Sequence, residues 1–159
     1  MSSNDLPKIL LEELTALDKL GVKRFDERRI KLLKRNLDYV NGQLEKKPDI
    51  IDFILFGEWK RVLELEIQYS SVLNESEERF LDWVAERFEN NTFKILIEVI
   101  ESNEKLMEEY LSEAYTQKSQ ERLVSTLRVK EGFRDHIMRM QSKIEFYLPQ
   151  AIMRREKQS

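Results

Sequence analysis

Apolar residues recur along this chain at steps of three and four, the period of a helix that buries one face, and short polar breaks cut the rhythm into segments. In the first segment Ile9, Leu10, Leu14, Leu17 and Leu20 make a stripe. Asn4 or Asp5 is placed to cap it, Pro7 sits in its first turn and Gly21 stops it. In the second, Phe25 precedes a cap at Asp26, and Ile30 is placed to staple against it. Ile30, Leu33, Leu37, Val40 and Leu44 then keep a coiled-coil-like spacing, too short for an independent coiled coil and suited to packing inside a bundle. Lys46-Lys47-Pro48 ends this helix and starts a third, with Pro48 in its first position and Asp49 and Asp52 at its positive end.

Residues 50–56 are apolar almost all round, which predicts burial on several sides, and Gly57 follows as a kink or a close-packing point. From Trp59 the stripe resumes through Val62, Leu63, Ile67 and Tyr69. Asn74 reads as the cap of a fourth helix, with Glu77 three residues later completing a capping-box-like arrangement. Glu75, Glu77 and Glu78 suit the positive end of that helix, and Phe80, Leu81, Val84 and Phe88 its inner face. Asn90-Asn91-Thr92 makes the next break. A fifth helix is expected over about residues 93–115, with Leu96, Ile97, Ile100, Met107, Leu111 and Ala114 inward. The sixth carries Leu123, Leu127, Phe133, Ile137, Met140, Ile144 and Leu148. Pro149 is expected to end or kink it, and Arg154-Arg155-Glu156-Lys157 to fray. Strand alternation, hairpin dipeptides and solenoid repeats are absent from the sequence. The expected fold is therefore all-α, a bundle of about five to six helices with no sheet. Residues 1–92 would form a helical bundle domain, and residues 93–159 a helical extension or the second half of the same bundle.

Composition agrees with long helices: 36% of the 159 residues are charged, with only four glycines and three prolines. Cysteine is absent, which excludes thiol catalysis and zinc–thiolate or iron–sulfur sites and fits a reducing compartment. No apolar run nears the ~18 residues of a membrane span. The opening MSSNDLPK lacks both a basic and an apolar targeting region, so a cytoplasmic, intracellular location is expected. The net charge of −3 conceals a partition: +3 over residues 1–48, −11 over 49–115 and +5 over 116–159. A negative middle between positive ends favours either charge-complementary packing or docked partners.

Candidate chemistry is sparse. His136 is the only histidine and, between charged neighbours, reads as a surface residue rather than a general acid or base. Glu64 and Glu66 stand two apart and face apart on a helix. No Glu-x-x-His pairing suggests a carboxylate metal site, and four scattered glycines build no phosphate loop. The expectation is a protein that is not an enzyme, with no cofactor, metal or small-molecule substrate. Lys23, Arg24, Arg28, Arg29, Lys31, Lys34 and Arg35 surround the second helix, and Arg24, Arg28, Arg29, Lys31 and Arg35 form a candidate basic patch for phosphates. Against direct nucleic-acid binding, interleaved aromatics that would stack on bases are missing there and the whole chain is acidic, so it is kept only as an alternative. Trp59, Leu63, Tyr69, Val72, Leu73, Phe80 and Trp83 crowd two adjoining helices; large aromatics at helical spacing are usually core, and these residues are expected to lie in or just beneath a partner interface.

The motifs over residues 6–88 resemble the helical domain of GINS, the accessory complex of the replicative helicase, in the subunit class whose helical domain comes first. LPKILLEEL (residues 6–14) resembles that class's first helix, and Phe25 its aromatic entry to a basic second helix. RVLELEIQYSSVLN (residues 61–74) resembles its long third helix, and ESEERFLDWVAERF (residues 75–88) the helix after it. KIEFYLPQAI (residues 143–152) resembles a helix end of the same superfamily. The resemblance implies a non-catalytic scaffold within a hetero-oligomer. Its partners would be a second GINS-like subunit, the MCM helicase and a Cdc45/RecJ-like protein. A generic helical adaptor or regulatory subunit, or a nucleic-acid-binding helical module, are the alternatives.

Overall fold

A computed structural model of the chain describes residues 27–113 and 117–158. Among these residues there are six helices and no strand, so the fold is an all-α bundle. The expected first helix, Phe25 and the cap at Asp26, together with Ala114 and Tyr115, lie outside the described residues.

Helix α1 spans Glu27–Glu45 and buries Leu33 and Val40, with Leu37 and Leu44 half covered. Its partner is α2, Ile50–Glu75, which at 26 residues is about 39 Å long and touches α1 and three of the helices that follow. The two run antiparallel, with Arg29 beside Glu66 at one end and Tyr39 edge-on to Phe56 towards the other. The cap of α2 is Asp49, whose carboxylate accepts the Asp52 N–H at 2.9 Å. Pro48 therefore precedes the cap instead of opening the helix, because only the carboxylate can satisfy an orphan amide there. Lys47, with φ of 52°, makes the turn before it.

The expectation for residues 50–56 holds on one side only. Ile51, Leu55 and Phe56 are buried, whereas Ile50 and Phe53 are 48% and 59% exposed. Both lie on the face that continues through Gly57, Arg61 and Gln68 (steps of three, four, four and seven), and that face points outward. Gly57 is accordingly neither a kink nor a close-packing point. The helix runs through it, and a Cβ built there meets nothing within 4 Å. Gly57→Ala should raise stability by about 1 kcal/mol, since it removes backbone entropy at no steric cost. A higher urea midpoint at unchanged slope is the expected reading.

Helix α3 spans Glu77–Glu89 and is capped by Ser76, whose hydroxyl accepts the Arg79 N–H at 3.1 Å. Asn74 is not the cap: α2 continues through Glu75, and Asn74 stays inside its last turn. Ser76→Ala should cost about 1 kcal/mol and Asn74→Ala should cost nothing, a contrast that thermal or urea unfolding of the two variants resolves.

Helix α4, Thr92–Glu113, follows a corner in which Asn91 takes a φ of 53° and its carbonyl accepts the Ile95 N–H at 2.9 Å. Asparagine tolerates this left-handed region better than most residues. Helix α5 spans Gln117–Glu145 and folds back on α4. It runs parallel to α2, because Arg122 meets Asp49 and Asp52, Lys130 meets Glu58 and His136 meets Glu66. Pro149 does not end the architecture: it stands in the first turn of a further helix, α6, Leu148–Gln158, where its missing N–H costs nothing. Nor is the tail free. Arg154 and Arg155 reach Asp82 and Glu89 on α3 at 3.0 Å each.

One continuous apolar cluster draws on all six helices. At its centre Trp59 stacks on Phe133, with ring centroids 5.1 Å apart. At one end Tyr69 packs on Phe80 and Trp83, and Tyr147 meets Phe80 edge-on. No helix among the described residues is long and apolar enough to cross a membrane.

Candidate functional site

The interior of the bundle is not wholly apolar. Glu58, Val62, Glu66 and Ser70 stand four apart on α2 and so share one stripe, and all four are buried. Glu66 is fully covered. Its Oε1 lies 2.7 Å from the Arg29 Nη2, and Arg29 is itself 0% exposed. Its Oε2 lies 3.5 Å from the His136 Nε2. His136 is thus buried, not a surface residue. It stands three residues after Phe133 and four before Met140, so the seam that buries them carries it inward. Glu64 is half exposed, as expected for two glutamates that face apart.

One stretch further down the helix, Glu58 Oε2 receives Lys130 Nζ at 3.0 Å and Asn103 Nδ2 at 3.4 Å. The same ammonium donates to the Ile100 carbonyl at 2.7 Å. Burial pushes the Glu58 carboxyl up to about 7, against the opposing pull of Lys130 and Asn103. Burial also lowers the Lys130 ammonium, despite Glu58 beside it. Sequence reading missed this pair. The signal was present, because Glu58 interrupts the stripe of Leu55, Trp59 and Val62, and Lys130 that of Val129, Phe133 and Ile137.

These groups hold helices together. A catalytic acid or base has to reach a substrate, directly or through one water. Surface cavities of 490, 330 and 360 Å³ occur on α5, between α2, α3 and α4, and between α3 and α6. Glu58, Glu66, Lys130 and His136 line none of the three. Among the described residues no group of three or more His, Cys, Asp or Glu side chains is arranged to hold a metal ion.

The candidate interface residues belong to the core. Trp59, Leu63, Tyr69, Phe80 and Trp83 are all buried inside this chain, and Val72 and Leu73 pack half-covered against them. Of the candidate basic patch, Arg24 lies outside the described residues and Arg29 is withdrawn to Glu66. Arg28, Lys31 and Arg35 stand together on the exposed side of α1. The charge partition is spent internally in part: five of the ten cations of residues 116–159, Arg122, Lys130, Arg134, Arg154 and Arg155, pair with carboxylates of the negative middle. The surface also carries large apolar side chains. Phe53 on α2, Ile95, Leu106 and Tyr110 on α4, and Phe146 at the α5–α6 corner are 46–75% exposed. Comparison with protein-family models, curated proteins and solved structures gives no match for this chain.

Proposed function

We propose that this protein is a non-catalytic helical subunit that acts through protein–protein contacts. The observation that carries the reading is the division of labour among its residues. Ionisable groups inside the bundle are used to fix helices, while large apolar side chains stand exposed on α2, α4 and the α5–α6 corner. Exposed large apolar side chains beside a core that the described helices already fill are what an assembly subunit presents. The specific form of the proposal is a GINS-like subunit of a DNA-replication assembly, and it rests on the sequence resemblance over residues 6–88. Its partners would be a second GINS-like subunit, the MCM helicase and a Cdc45/RecJ-like protein.

Direct nucleic-acid binding has less support, because Arg122, Lys130, Arg134, Arg154 and Arg155 are already paired with carboxylates of this chain. Purification of the tagged protein from its native cells, with cross-linking and identification of what is bound, tests both levels. Recovery of a helicase and a second acidic helical subunit is the expected result. A monomer recovered alone would overturn the subunit reading, and a stable complex without replication proteins would overturn the replication form of it.

A further inference from the structure

We draw no further inference here: the strongest candidate, the apolar row of Ile95, Val99, Leu106 and Tyr110 on the outer edge of α4, is flanked by Lys94 and Lys105 as well as by Glu98 and Glu109, and nothing in the structure shows what covers it.

Discussion

Lys130→Met should cost about 3–5 kcal/mol of folding stability, and adding Glu58→Leu to the same chain should restore most or all of it. Lys130 is 0% exposed and Glu58 2%, so neither partner can turn to water when the other is lost. The methionine variant leaves the Glu58 carboxyl buried with the Asn103 amide at 3.4 Å, and it must either stay ionised without its cation or take up a proton. The double variant removes both desolvation costs and keeps the volume, which in other buried pairs is neutral or stabilising. Urea unfolding of the two singles and the double gives the coupling directly. A pH series separates the carboxylate further. Glu58 titrates at about 7 in the fold against an ordinary value of 4.5, so the folded chain keeps the proton that the unfolded chain has released. Its contribution is therefore fullest below pH 4.5 and declines as pH rises towards about 7. Lys130, lowered from 10.5, contributes the opposite slope, and only between its lowered value and 10.5. The difference in stability between the wild type and Glu58→Gln should shift against the wild type from pH 4.5 to 7. A flat difference would mean that Glu58 is ionised throughout that range.

Most of the helices and their buried faces were legible because burial imposes the helical period on apolar residues whatever the partner. What was not legible depended on partners distant in the chain. Glu58 and Lys130 are 72 residues apart, and Arg29 and Glu66 are 37 apart. A charged residue on an apolar stripe signals burial, but not which residue meets it. Pro149 could stop a helix or open one, and the choice is settled by tertiary contacts of Tyr147 with Phe80 and of Arg154 with Asp82. Asn74 and Ser76 are both good caps followed by glutamates, and the α2 stripe through Val72 and Leu73 carries the helix past the first of them. The aromatics on α2 and α3 could be read as core or as interface for a related reason. Hot-spot residues and core residues are the same large apolar types, and only the packing of α5 and α6 over Trp59 and Phe80 shows which they are here.

Glu66→Leu should be the second severe variant, at about 4 kcal/mol, and its damage should concentrate in α1. Glu66 receives Arg29 from α1 at 2.7 Å and faces His136 of α5 at 3.5 Å, so one carboxylate serves two helix contacts. The asymmetry with Lys130→Met lies in the group left behind. A buried carboxyl such as Glu58 can take up a proton, whereas a guanidinium stays charged at any pH a protein survives. Without Glu66 the Arg29 guanidinium loses a buried carboxylate at 2.7 Å, and it stands on the first turn of α1, where fraying is least costly. Hydrogen exchange should therefore show protection lost first over Glu27–Glu45, with the amides around Trp59 in α2 still slow. Arg29→Met/Glu66→Met should recover much of the stability, as two groups of matched volume no longer require each other. The exposed pair Arg79–Glu75 gives the scale: Arg79→Ala should cost no more than about 0.5 kcal/mol and lose that in high salt. Glu66→Leu should be insensitive to salt. Uniform loss of protection across α1, α2 and α5 would show instead that the carboxylate holds the whole bundle and not the docking of α1.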